Sequence, residues 1–104
     1  SMMLMWAVVV LTIVTFLFSV VFVSSASQYI SDASVGDEYV DGMKTYFGSL
    51  FMTMVTLFMA VTGGVDWWDI LRLFIEIHSA YGFLFMLFVV ITVLAVLNVI
   101  NAIF

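Results

Sequence analysis

Two stretches of this 104-residue chain, residues 2–23 and 79–104, carry no charged side chain, and no other feature restricts its fold as much. The first has 22 residues interrupted only by Thr12, Thr15 and Ser19. As a helix rising about 1.5 Å per residue, either stretch is long enough to cross a hydrocarbon core of about 30 Å. All nine charges lie between Asp32 and Glu76, so the charge map marks the wet region. With 66% of residues hydrophobic and no proline, there is too little polar surface to coat a water-soluble globule. The expected class is an all-α membrane protein, a single domain over 1–104 in contact with the lipid bilayer.

Both tails lack Lys and Arg, so the positive-inside bias has nothing to act on and charge does not orient the chain. No basic residue precedes the first stretch and no small-residue cleavage site follows it, so it reads as a retained helix, not a signal peptide. Thr12, Thr15 and Ser19 share one face at spacings of three and four. They either admit a neighbouring helix closely or bond their own backbone.

Residues 24–46, SSASQYISDASVGDEYVDGMKTY, set four acids against one lysine with little periodicity. They predict an acidic extramembrane loop with short ordered turns. Residues 47–62, FGSLFMTMVTLFMAVT, are helix-like but span only about 24 Å, short for a crossing, and run into Gly63 and Gly64. A re-entrant helix that stops partway and passes into irregular backbone fits this length. Such backbone survives in a membrane only when buried in protein or lining water.

Residues 66–77, DWWDILRLFIEI, predict a short amphipathic helix capped by Asp66, with Asp69 near the positive end of its dipole. Ile70, Leu73, Phe74 and Ile77 form its apolar stripe. Asp69, Arg72 and Glu76 lie roughly opposite, with Arg72 in reach of either acid. In the second span, Thr92, Ala95, Val99 and Ala102 make a line of small residues, and Asn98 and Asn101 place two amides near its end.

A helix ending mid-membrane directs its carbonyl end, about half a negative charge, at whatever lies beyond, which favours a cation. Gly63 and Gly64 free the backbone to turn its carbonyls, and Asp66 adds a formal charge. Two spans cannot enclose a pore, so a conduit requires symmetric copies in which each acid becomes a ring. Four carboxylates about 5 Å from a central cation attract it by about 13 kcal/mol at an effective dielectric of about 20, before dehydration is subtracted. Anions are repelled by the same ring.

The run T-L-F-x-x-x-T at 56–62, followed by a short filter, Trp and a second short helix, resembles the pore module of the voltage-gated sodium and calcium channel superfamily. The resemblance covers nearly the whole chain. It implies a homotetramer with an outer helix at 2–23, an extracellular loop at 24–46, a first pore helix at 47–62 and a filter of Thr62, Gly63, Gly64, Val65 and Asp66. A second pore helix at 66–77 and an inner helix at 79–104 complete it. A permeant cation would sit transiently near Gly63, Gly64 and Asp66. The family threonine that closes the first pore helix matches Thr62, but its filter acid falls where this chain has Gly64, so Asp66 or backbone carbonyls would take its place. Trp67 would anchor the filter and Trp68 pack beside it or at the interface, with Asp69 and Glu76 in the outer vestibule. LNVINAIF resembles the end of the family's inner helix, where an asparagine matching Asn98 recurs, and a gate is expected where apolar side chains converge between Leu97 and Phe104, around Asn101. Loops outside, both termini in the cytoplasm and a multi-pass place in the plasma membrane follow from the same resemblance. No Arg-rich helix precedes the first span, so the module would lack a voltage sensor, as a pore-only protein or a fragment.

Two other readings stay open. T-G-G-V-D faintly echoes the potassium-channel filter, but its glycines are adjacent where that filter needs them two apart. A non-conducting two-span assembly subunit is the alternative from another class. Sodium against calcium is open too. Enzyme chemistry is not expected: His78 is the single histidine, reads as interfacial, and does not share a helical face with Glu76. With no cysteine there is no disulfide or thiolate site, the eight methionines read as apolar packing, and no cofactor is implied. No basic surface exists for nucleic acid.

Overall fold

The computed structural model describes residues 2–104 and is all-helical, with five helices in chain order and no strand among the described residues: α1 Met2–Asp32, α2 Val40–Phe47, α3 Leu50–Thr62, α4 Trp67–Ile77 and α5 Ser79–Ile103. α1 and α5 are long and apolar enough to cross a membrane. At 31 and 25 residues they measure about 46 and 37 Å.

The acidic segment 24–46 is not the loop that its composition predicts. α1 continues through residues 24–32 because Phe22, Ala26, Tyr29 and Ile30 keep one of its faces against the core at helical spacing. Ser25 Oγ bonds back to the Phe22 carbonyl at 3.0 Å, and Gln28 Nε2 donates to Asp32 Oδ2 at 2.7 Å one turn on. α2 forms around Met43 and Phe47, both buried. The connector left between them, 33–39, is pinned by Asp37. Its Oδ2 accepts from the Tyr29 hydroxyl and its Oδ1 from the Tyr39 N–H, each at 2.8 Å.

α3 starts at Leu50, not at 47, because Ser49 turns extended and its Oγ accepts from the Met52 N–H at 3.1 Å. This cap sets α3 at 92° to α2. The Thr56 hydroxyl braces the corner by donating to the Tyr46 carbonyl at 2.7 Å.

The core is built around Phe74 of α4. Its ring stacks on Phe22 of α1 at 4.2 Å and lies 4.8 Å from Phe47 of α2 and 5.4 Å from Phe85 of α5. Phe18 and Phe88 extend the cluster between the two long helices at 5.2 Å. α4 lies tightly on α5, where a Cβ on Gly82 would fall 2.8 Å from Ile75 Cγ1. A Cβ there would force the Ile75 side chain to shift.

This core occupies one end of the molecule, which extends 53 Å. Every buried residue of α1 lies between Ser19 and Ala26, and every one of α5 between Gly82 and Thr92. On α5, Tyr81, Phe85, Phe88, Thr92, Ala95 and Val99 face the rest of the chain. The expected small-residue line belongs to this face as far as Val99, while Ala102 is exposed. Phe83, Val90, Leu94, Leu97, Asn101 and Phe104 are exposed on the other side. On α1 the two readings of the hydroxyl face divide between residues. Thr12 and Thr15 bond the carbonyls one turn back, whereas Ser19 is wholly buried without a bonding partner, at a point of close packing.

Replacing Phe74, which is 0% exposed, by Ala removes the ring on which four helices converge. We expect a loss of about 3–5 kcal/mol, measured by denaturant unfolding in nonionic micelles. Phe51→Ala, at a site 73% exposed, is expected to change stability by about 0.5 kcal/mol or less.

Candidate functional site

α3 ends because Gly63 takes φ 84° and ψ 11°, a left-handed conformation that suits a residue without Cβ. The N–H groups of Gly63 and of Gly64, the latter at 2.9 Å, both turn back to the Met59 carbonyl, a Schellman closure. The Thr62 hydroxyl donates to the Phe58 carbonyl at 2.8 Å. Of the four carbonyls that the helix end would otherwise present, these bonds close that of Met59. Among the described residues, no donor pairs with the carbonyls of Val61, Thr62, Gly63, Gly64 or Val65. Thr62, Gly63 and Gly64 are exposed, while Val65 tucks half-buried against the core and fixes the break to it.

Asp66 follows in an extended conformation and caps α4, its Oδ1 accepting from the Trp68 N–H at 3.1 Å. The cap expected from D-W-W-D is therefore present, with the second carboxylate oxygen free of partners among the described residues. Ile70, Leu73 and Phe74 are buried and Ile77 half-buried, the stripe expected for this helix. Of its two candidate acids, Arg72 takes Asp69, at 3.7 Å. Both side chains are about half exposed, so the pair adds little stability. Glu76 stands apart and, with Glu38 next, holds the Tyr39 phenol above its ordinary range by charge repulsion.

Trp67 and Trp68 are 48% and 52% exposed, and neither indole N–H has a partner within the described residues. An anchoring bond from Trp67 to the break is thus not made inside one chain. Leu97, Asn98, Asn101 and Phe104 are exposed near the far end of α5. Leu97 lies about 27 Å along the helix from Ser79. Leu97, Asn101 and Phe104 share the side turned away from the chain, with Asn98 about a quarter-turn round. The candidate residues therefore do not gather: 62–69 lie at the start of α4, Glu76 at its other end beside the junction with α5, and 97–104 near the end of α5.

Sequence reasoning read His78 only as an interfacial residue. It is the single residue between α4 and α5, closing one with its N–H to the Phe74 carbonyl at 3.1 Å and opening the other with Nδ1 accepting from the Ala80 N–H at 3.0 Å. The signal was present in the spacing: two helices abutting at 77 and 79 leave one residue to serve as both caps. Beside this junction an open cavity of about 450 Å³ is lined by residues including Tyr29, Asp32, Asp37, Ile77 and Tyr81. No three of the acidic and histidine side chains gather at metal-holding distance among the described residues. Within one chain, the groups suited to a cation at the break are thus Asp66 and the unpaired carbonyls. Compared with known protein families, curated proteins and solved structures, the chain finds no match in any of the three.

The cap and the charge of Asp66 separate by substitution. Asp66→Ala is expected to cost about 1 kcal/mol in unfolding experiments, and Asp66→Asn, an equally good cap, close to nothing. Gly63→Ala is expected to cost about 1 kcal/mol or more through its left-handed backbone.

Proposed function

We propose that the chain is the pore-forming subunit of a cation channel of sodium or calcium type, conducting passively through a symmetric tetramer. One observation carries this reading. A 13-residue apolar helix stops at two glycines and is followed by unpaired carbonyls at 61–65 and a capping carboxylate. Hydrocarbon does not tolerate such a run, so a segment of this kind beside two spanning helices must meet water, an ion or another chain. Four copies about an axis supply all three, with Thr62–Asp66 as the filter, the carbonyls and Asp66 rings attracting cations, and anions rejected.

The right-angled α2–α3 pair supports a re-entrant path, in which α3 descends and the chain returns through α4. The free N–H of Trp67 then has a neighbouring copy within reach to bond the filter in trans. The outward stripe of α5, Val90, Leu94, Leu97, Asn101 and Phe104, lines the path beneath the filter. Four side chains converging at Leu97 and Phe104 close it by dewetting, with the Asn101 amides as a polar belt between them. Asn98, off this stripe, suits a bond to an adjacent helix, worth about 0.6–2 kcal/mol. The resemblance adds the orientation: acidic end outside, both termini in the cytoplasm, plasma membrane.

Cation flux into liposomes carrying the purified protein tests the reading. Wild-type protein is expected to pass sodium or calcium and exclude chloride. Asp66→Asn, which keeps the cap, is expected to lower conductance roughly tenfold, about 1.4 kcal/mol in the permeation barrier. Wild-type protein that passes no cation, or an Asp66→Asn variant indistinguishable from it, rejects the proposal. Reversal potentials under bi-ionic conditions assign sodium or calcium.

A further inference from the structure

We propose that the groove at the polar end of α1 holds the headgroup of a phospholipid that ends in an ammonium group. Its deeper part is the cavity of about 450 Å³ beside the α4–α5 junction, walled by Tyr29 and Asp32 of α1, Asp37 of the connector, Ile77 of α4 and Tyr81 of α5. A second cleft, of about 480 Å³, runs along α1 from Val23 past Ser24 and Ser27 to Ser31. Gln28 lines both, so the two adjoin.

Two carboxylates and no basic side chain line the deeper cavity, so it favours positive charge. Asp37 is held in place by the Tyr29 hydroxyl and the Tyr39 N–H, one on each oxygen. Asp32 accepts from the Gln28 amide at Oδ2 alone, and its Oδ1, like the Tyr81 hydroxyl, has no partner among the described residues. A metal ion is poorly served here: no three acids or histidines among the described residues gather at metal-holding distance, and Tyr29, Tyr81 and Ile77 offer rings and aliphatic surface where it needs oxygen. An organic ammonium uses both kinds of wall, its charge against Asp32 and Asp37 and its carbon against the rings.

Depth decides the source. The uncharged run 2–23 makes about 33 Å of helix, a hydrocarbon thickness, and the second cleft opens at its last residue. α5 agrees: its uncharged run starts at Ser79, and Tyr81 stands two residues inside it, at the level where amphipathic rings collect. The groove therefore begins at the hydrocarbon edge and leads towards water through the layer that headgroups occupy. Ser24, Ser27 and Ser31 are exposed at spacings of three and four, and unlike Thr12, Thr15 and Ser25 they do not spend their hydroxyls on the α1 backbone. With the second amide hydrogen of Gln28 they supply donors for a phosphate. From Ser27 to Asp32 the helix rises about 7.5 Å, which leaves room for phosphate and then ammonium along it. A headgroup without the ammonium brings only negative charge to two carboxylates. The inference needs the chain in a bilayer and does not rest on the proposed pore.

Native mass spectrometry of the purified chain reads which lipid it retains from micelles in which phosphatidylcholine or phosphatidylethanolamine is mixed equally with phosphatidylglycerol. Wild-type protein is expected to retain the ammonium lipid about fivefold over the glycerol lipid in at least one mixture, the size of one cation–π contact. Asp32→Asn, at an exposed site, and Tyr81→Leu, which keeps apolar bulk, are each expected to bring the ratio close to one. Circular dichroism melts show whether Tyr81→Leu has kept its fold; if it has not, Asp32→Asn decides alone. Free phosphocholine, the same chemistry from water, is expected not to displace the lipid at equal concentration. Equal retention of ammonium and glycerol lipids in both mixtures, or a preference that survives either substitution in a folded variant, overturns the proposal. Displacement by free phosphocholine at equal concentration assigns the groove to a water-borne ligand and overturns it too. Cation flux plays no part in the readout, so the fate of the pore leaves this result standing.

Discussion

Phe74 is the point on which the arrangement depends. Its ring meets α1 through Phe22, α2 through Phe47 and α5 through Phe85, so one side chain of the shortest amphipathic helix but one fastens three others. Rings at 4.2–5.4 Å are near their favourable separations, and each such pair adds about 0.5–1.5 kcal/mol beyond the area it buries. That matters in a chain with two helices apolar enough to cross a membrane, because lipid tails compete with apolar side chains and burial alone gives little preference for one partner over another. Packing specificity takes over from bulk hydrophobicity.

The second constraint is the disposal of backbone polar groups. The junctions from α3 onward are closed by definite donors or acceptors: Ser49 before α3, the twin glycine N–H groups after it, Asp66 before α4, His78 on both sides of its peptide. Beyond the Met59 carbonyl, those of residues 61–65 at the break have no donor among the described residues, and an uncompensated polar group in hydrocarbon costs several kcal/mol.

What the amino-acid pattern revealed depended on how local the determining force was. The two long apolar helices, the stop at Gly63, the Asp66 cap and the buried stripe of α4 all follow from neighbours within a turn or two, and all were legible. The continuation of α1 past Val23 was not. Residues 24–32 are polar in composition, and they stay helical because Ala26, Tyr29 and Ile30 find a core made by distant segments. α2 is similar, with Asp41, Gly42 and Lys44 held helical by Met43 and Phe47. The Thr56 bond to Tyr46 spans ten residues and a right-angled corner, so no periodicity announces it. Of the candidate site, the cap and the break could be read in advance. The absent Trp67 anchor and the choice of Asp69 by Arg72 depend on side-chain directions that spacing leaves free.

The meeting of α4 and α5 at a single residue has a mechanical meaning. A longer joint would act as a swivel and absorb rotation, whereas one extended peptide clamped at both ends has no slack. Torque about the axis of α5 therefore passes into α4, and from there to the carboxylate and carbonyls at its start. One residue is all the chain between the long helix and the short one that leads back to the glycine break.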